Sequence, residues 1–226
     1  MRRWIFERGI LFAADLANKP PVLPPVPATF GEIGAESMEA LSAAMGAPDS
    51  LVIRERLTGG RRCFAAWVED RVAAYGWVSQ TDECIGEQER EIRLAPREAY
   101  VWDCATLKEY RGMGLYSGLL RHINSILRSE GIRCVWIGSS QSNRPSLKGF
   151  VNAGFQPVLT LTYFRFFSLR CLWAFGQRSA SGALVDAARH ALLTDQERAR
   201  GPFIFGWSLA AALPPCADMD ANPRAI

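Results

Sequence analysis

The chain has 226 residues, 49% hydrophobic and 22% charged, with a formal net charge of +3. That length buries one sizeable core, and that composition excludes a mostly disordered chain. The small net charge, with no run of Lys or Arg, gives no basis for nucleic-acid binding. No apolar run approaches the ~18 residues that a membrane span requires, and Glu7 and Arg8 interrupt the N-terminal stretch that imitates a signal peptide. None of the six cysteines forms a C-x-x-C pair, and His122 and His190 are the only histidines. No metal site is therefore expected, and free thiols in a cytoplasmic protein are the simplest reading.

In chain order, residues 3–14 read as a strand. Residues 19–27 hold five prolines and form neither a regular helix nor a central strand, which leaves an extended connector. Residues 29–33 read as a short strand. Met38, Leu41 and Met45 have helical spacing, and Gly46-Ala47-Pro48 ends that helix. Residues 51–57 alternate and read as a strand. Residues 63–68 and 72–79 flank Glu69-Asp70-Arg71 as an antiparallel hairpin. The polar stretch 80–97 reads as a loop over or beside an active site, and residues 99–106 as a strand. A helix follows over 115–128, with Leu119, Leu120, Ile123 and Leu127 on one side and Gly131 beyond its end. Residues 133–137 read as a buried strand, 146–152 as a helix closed by Gly154, and 158–166 as a further strand. Residues 209–226 are Ala/Pro-rich and read as frayed. Antiparallel strands leading into a strand–helix–strand–helix–strand unit make the fold class mixed α/β.

The informative segment is 106–120. It leaves a strand end, passes through Arg111-Gly112-Met113-Gly114 and enters an amphipathic helix. Glycines let the backbone turn tightly and approach a ligand, and the first helical N–H groups then face that ligand with the positive end of the helix dipole. Such a junction suits a pyrophosphate, with Arg111 adding charge at its rim. Two glycines alone also fit a plain strand-to-helix turn, and neither a P-loop nor a G-x-G-x-x-G fingerprint is present.

Residues 109–116, Glu-Tyr-Arg-Gly-Met-Gly-Leu-Tyr, resemble the pyrophosphate loop of GNAT acyltransferases, whose pattern is Arg/Gln-x-x-Gly-x-Gly/Ala at a strand–loop–helix junction. Asn143, Ser146, Phe150, Gly154 and Phe155 resemble the same family's Asn-x-x-Ala-x-x-x-Tyr-x-x-x-Gly-Phe signature, at the expected distance. The resemblance covers residues 50–165, with weaker support from 28–50. It implies a mostly antiparallel twisted central sheet with a splayed parallel strand pair and flanking helices. It also implies acetyl-CoA, or another acyl-CoA, as co-substrate, with no metal. Carried over by position, it makes Cys104 and Thr106 main-chain ligands of the pantetheine arm. Arg111, Gly112, Met113, Gly114, Leu115 and Tyr116 would hold the pyrophosphate by their amides. Asn143 would lie near the pantetheine or thioester, and Phe150 would pack beside the thioester. Two positions depart from the pattern. Tyr116 stands where Gly or Ala is usual, so its side chain must point away from the pyrophosphate. Phe150 stands where many members place a Tyr that protonates the departing thiolate, so that role is vacant or filled elsewhere. Tyr100 and Tyr163 are candidate donors that read equally as core residues.

An amine acceptor must lose a proton to attack a thioester, and a carboxylate is a suitable base. Asp103 is the first candidate, an acid inside an apolar strand between Trp102 and Cys104. It reads equally as the partner of an Arg. Glu98, just before the same strand, is the second, against a reading as a solvated loop acid. Glu83, Glu87, Glu89 and Glu91 belong to the polar loop, where they read as shaping an acceptor site or, more commonly for such a cluster, as solvated. Cys104 lacks a basic partner to activate it as a nucleophile. The aromatic stretch 163–175 reads as a buried strand or a subunit interface, which leaves a homodimer open, in preference to a membrane-facing surface.

The expectation is thus an acyltransferase moving acetyl from coenzyme A to an amine of a small-molecule or sugar-like acceptor. Its divisions are an N-terminal strand and connector (1–27), the acyltransferase domain (28–175) and a C-terminal extension of helix and tail (176–226). The alternatives are a non-catalytic acyl-CoA binding or sensory module, and an enzyme using a hydroxyl acceptor or a longer acyl chain.

Overall fold

The computed structural model describes residues 4–18, 27–46, 50–85, 90–167, 169–199 and 203–207. Most of the connector 19–27 and all of the tail 209–226 lie outside that set.

The strands are β1 (Trp4–Asp15), β2 (Thr29–Glu32), β3 (Arg62–Val68), β4 (Arg71–Ser79), β5 (Glu83–Ile85), β6 (Arg90–Ile92), β7 (Glu98–Thr106), β8 (Cys134–Ser140), β9 (Gln156–Phe166), β10 (Leu169–Gly176) and β11 (Phe203–Trp207). The helices are α1 (Met38–Met45), α2 (Leu51–Thr58), α3 (Leu115–Ser129), α4 (Arg144–Asn152), α5 (Gly182–Leu192) and α6 (Asp195–Ala199). Nine strands form one sheet in the order β11-β10-β9-β1-β8-β7-β4-β3-β2. Every pairing in it is antiparallel except β7 with β8. This is the mixed sheet with one parallel pair that the resemblance implies. No helix among the described residues is long and apolar enough to cross a membrane.

Two cores lie on opposite faces of the sheet. One gathers Leu41 of α1, Ile53 of α2 and Ala188 of α5 over Tyr75, Trp77 and Trp136. The other gathers Leu119, Leu120 and Ile123 of α3 and Phe150 of α4 over Phe64, Ala74 and Val101. Strand alternation assigns side chains to these faces. In β1, Leu11 and Ala13 point to the first core, and Phe12 and Ala14 to the second. The hairpin β3–β4 turns through Glu69 and Asp70, both at positive φ (48° and 61°), the geometry that tight hairpins favour.

Three expectations need correction. Residues 51–57 form a helix, α2, and not a strand. Leu, Arg and Glu are good helix formers, and Ile53 and Arg56, three apart, share the inward face of one turn. The stretch 80–97 carries a two-stranded ribbon, β5 with β6. The ribbon is tied to the C-terminal helices by Arg90 to Glu197 (2.5 Å) and by the Arg93 amide to the Ala191 carbonyl (2.9 Å). Glu83 in it is not solvated: it is 3% exposed and ion-paired with Arg61 at 2.7 Å. Finally, Cys63, Cys104, Cys134 and Cys171 are free, but Cys84 is disulfide-bonded. The aromatic stretch 163–175 lies mainly in β9 and β10. There Tyr163, Cys171, Leu172 and Ala174 are buried, while Phe166, Phe167 and Phe175 are exposed.

Candidate active site

The parallel pair is short. β7 and β8 are in register only from Glu98–Cys134 to Val101–Ile137. Beyond that point β7 stays with β4 as far as Thr106, and β8 stays with β1 as far as Ser140. Their facing edges part into a wedge, and the backbone donors and acceptors along those edges can receive an extended guest.

The upper part of β7 is bulged. Tyr75 pairs with Ala105 and Trp77 with Trp102, so Gly76 alone faces both Asp103 and Cys104. Asp103 takes φ 41°. A Cβ on Gly76 would lie 2.8 Å from the Cys104 sulfur, so glycine there makes room for the bulge. The extra residue turns Asp103 toward α2, as Trp102 is turned, and returns Cys104 to the α3 face. One strand thus presents different chemistry to the two sides of the wedge.

On the α2 side, Asp103 is paired with Arg56 at 2.5 Å, with side chains 12% and 13% exposed. The Arg56 guanidinium also lies over Trp77 and Trp102, at 4.9 and 4.7 Å. The Trp102 indole donates to Ser79, which bonds Glu83, which holds Arg61. A cleft of about 770 Å³ opens on this face beside the end of β7, lined in part by Met45, Arg71, Tyr75, Thr106 and Lys108. The Thr106 hydroxyl is buried with no hydrogen-bond partner. Glu98 stands at the other end of β7, about 17 Å from Asp103 at the usual strand rise. Its carboxylate accepts from the Trp136 indole (2.9 Å) and the Ala95 amide (3.1 Å).

A turn of 3₁₀ helix, Lys108–Tyr110, links β7 to the glycine loop. Residues 111–114 are exposed. Gly112 and Gly114 have φ 83° and 77°, a region costly for other residues. No side chain caps α3, and its first turn holds no acid. Its leading amides therefore point outward with the positive end of a 15-residue helix. Leu115, 1% exposed, pins the helix start into the core, while Met113 stands out at the rim. Arg111 folds back, its Nε donating to the Thr106 carbonyl at 3.3 Å. A pyrophosphate fits this junction in charge and in donors.

Across the wedge, Asn143 caps α4 by accepting from the Ser146 amide (3.3 Å). Phe150 is 1% exposed and packs against Phe12, Tyr116 and Phe155, with ring centroids 5.2, 6.1 and 6.3 Å apart. The Tyr116 ring turns away from the loop into the space beside Gly149, where a Cβ would lie 2.4 Å from the ring. Its hydroxyl is hydrogen-bonded to Cys104 and Ser146. Burial pushes this phenol well above its ordinary pKa. Burial, and then the Asp103 charge, push the Cys104 thiol up, so it is neutral and unsuited to nucleophilic attack. Tyr100 and Tyr163 are buried in the α1–α2–α5 core.

The structure therefore gathers Asp103, Cys104, Thr106, the residues 111–116, Asn143 and Phe150 around one wedge, with Glu98 at a distance. The sequence reading missed Arg56, Trp77 and Trp102 as parts of the site; it turned the Tyr116 side chain away from the loop but did not find the space beside Gly149 that the ring fills. A large residue at 116 together with a glycine at 149 was the available signal.

The model of the acetyltransferase (GNAT) family matches residues 35–155. No curated protein matches the sequence. Among solved structures, a GNAT-family protein from Novosphingobium aromaticivorans superposes with TM-score 0.52 at 20% identity, over 70% of this chain and 63% of that one. A GNAT-family acetyltransferase from Colwellia psychrerythraea gives 0.53 at 16% identity, over 72% and 56%. The glucosamine N-acetyltransferase region of a fungal multi-domain β-N-acetylglucosaminidase gives 0.54 at 16%, over 76% and 21%. The chain thus spans less than two thirds of the length of each of these proteins, and at such identities the likeness concerns the fold. With more than half of its residues under the family model, and with the loop, wedge and α4 signature in their places, the chain belongs to the GNAT acetyltransferase family.

Proposed function

We propose that the protein is an acyl-CoA-dependent N-acyltransferase, moving acetyl to an amine of a small-molecule or sugar-like acceptor. The observation that carries this reading is a single strand: β7 parts from β8 after Val101 and then runs directly into the uncapped, glycine-rich start of α3. That one path offers a backbone edge for the pantetheine arm at Cys104 to Thr106 and amides for the pyrophosphate at 111–116. The thioester then falls in the wedge, bordered by Asn143 and Phe150. The acceptor enters from the α1–α2 face. The Trp77–Trp102–Asp103 box there already receives a guanidinium, and its chemistry equally suits a protonated amine.

Asp103 takes the proton of the amine, either directly or through water. The amine attacks the thioester carbonyl, and main-chain amides on the free edge of β7 stabilise the oxyanion that forms. Glu98, engaged by Trp136 and Ala95, takes the second place as base, reached only through water along the strand.

The test is thiol release from acetyl-CoA in the presence of panels of amines and alcohols, with products read by mass spectrometry. Amine-dependent release with an acetylated amine is the expected result. Binding of acetyl-CoA with no cleavage overturns the reading in favour of a binding module, and release with alcohols alone overturns it in favour of O-acyl transfer.

A further inference from the structure

Resting on that transferase reading, we infer that Tyr116 is the proton donor to the departing thiolate, supplying from α3 the hydroxyl that Phe150 on α4 lacks. Tyr116 belongs to the first turn of α3, so its main chain faces the pyrophosphate loop. Its side chain goes elsewhere. Gly149 leaves the space that the ring fills: a Cβ there would come within 2.4 and 2.8 Å of two ring carbons. This seats the ring beside Phe150, with centroids 6.1 Å apart. The phenol and the hydroxyl-free ring are thus neighbours on the same side of the wedge.

The hydroxyl has two partners, and each marks one wall of the wedge. Cys104 lies on β7 beyond the last β7–β8 pair, and Ser146 lies in the first turn of α4, after β8. The hydroxyl is hydrogen-bonded to the Cys104 sulfur and to the Ser146 hydroxyl. The Cys104 sulfur lies on the α3 face of β7, over Gly76, so the Tyr116 hydroxyl already has a sulfur on this strand as its partner, and a thioester laid along the strand's free edge brings a second one to the same wall. Asp103 faces the wedge from the α2 side and Tyr116 from the α3–α4 side, so base and acid meet the thioester from opposite faces. Burial keeps the phenol protonated until sulfur develops charge. The rival hydroxyls, Tyr100 and Tyr163, are buried on the other face.

The step balances without a further reactant. The C–N bond forms as the amine adds to the carbonyl, its proton leaving through Asp103; the oxyanion then collapses, the C–S bond breaks, and the electron pair left on sulfur takes the Tyr116 proton. The phenolate recovers a proton from water by way of the Ser146 hydroxyl.

The experiment uses acetyl-CoA with the best amine of the panel, and two variants that keep a ring beside Gly149. Tyr116→Phe lowers kcat about 10²-fold, the lower end for loss of a general acid, while acetyl-CoA affinity and Tm stay near wild type. Tyr116 replaced by 3,5-difluorotyrosine, a more acidic phenol, stays active, and the alkaline limb of its kcat profile moves to lower pH. A purely structural hydroxyl would not move that limb. A Tyr116→Phe protein with wild-type kcat, or one in which only KM rises, overturns the inference and leaves the transferase reading intact. A wild type that binds acetyl-CoA and cleaves it with no acceptor overturns both.

Discussion

Asp103→Asn separates chemistry from architecture at the bulge. Asp103 has φ 41°, a conformation that Asn tolerates better than most residues, so the backbone should survive the change. The carboxylate lies 2.5 Å from Arg56, and the two side chains are 12% and 13% exposed. Deleting one charge of a fully buried pair costs ~3–5 kcal/mol, whereas exposed pairs contribute ~0–1 kcal/mol. This pair is closer to the buried case, but two features soften the loss. The Asn carbonyl keeps one hydrogen bond to Arg56. Arg56 also keeps the faces of Trp77 and Trp102, contacts worth ~0.5–2 kcal/mol each. A destabilisation of about 1–3 kcal/mol follows, readable as a lower Tm. If Asp103 is the base, kcat falls ~10²–10⁴-fold. The acetyl-CoA Kd holds, because the side chain faces α2 and not the loop. Rate, affinity and melting are measured on the same preparation. Full kcat at saturating substrate in a folded variant removes Asp103 from the mechanism, and Glu98→Gln in the same assays then decides whether Glu98 succeeds it.

Gly112→Val strains a backbone at φ 83° by ~1–2 kcal/mol, and it puts a branched side chain where a ligand approaches. Calorimetry should show acetyl-CoA binding weakened roughly tenfold or more in a folded protein, and unchanged affinity would sink the loop assignment. Gly149→Ala drives a methyl against the Tyr116 ring and should cost ~1–3 kcal/mol. Adding Tyr116→Ala should give back part of that loss, so strictly additive melting shifts would refute the packing. Burial works against the Glu83 carboxylate, yet its bonds to Arg61, Ser79 and the Cys84 amide, with the Arg61 charge, hold its pKa below the usual value. A depressed folded-state pKa gives stability that is complete above the unfolded value of ~4.3 and lost as pH falls through the lower folded value. Wild-type Tm should therefore drop more steeply than that of Glu83→Gln in that acid window, with the variant the less stable at neutral pH. Parallel curves would falsify this linkage.

The parts legible in the sequence are those governed by local rules. The strand–loop–helix junction at 106–120 shows itself through Gly112, Gly114 and the spacing of Leu119, Leu120 and Ile123, and each of these acts within its own element. What escaped was set by partners distant in sequence. Residues 51–57 satisfy a strand pattern and a helix pattern alike, and only burial of Ile53 under α1 and placement of Arg56 over the two indoles chooses the helix. The bulge at Asp103 leaves no trace in β7 itself. Its cause is Gly76 on the neighbouring strand, whose missing side chain admits the Cys104 sulfur. Glu83 looks like one more acid in a polar loop until Arg61 and Ser79 close around it. The direction of the Tyr116 ring depends on Gly149, and the two positions lie on different helices.

The bulge also explains how one strand serves both reactants without crossing their paths. In an unbroken β7, Trp102 and Cys104 would share a face, and Asp103 would point with Val101 toward α3. The charge of Asp103 would then lie beside Tyr116, among the Leu and Phe side chains of that core, with Arg56 out of reach across the sheet. One inserted residue reverses this. Asp103 joins the indoles and Arg56, a polar corner that suits a cationic acceptor. Cys104 joins Tyr116 and Ser146, a set of neutral donors that suits sulfur. A proton released by the acceptor and a proton required by the leaving group are then handled on opposite sides of the sheet. Neither group has to approach the other, so the acceptor and the leaving group are served from separate faces.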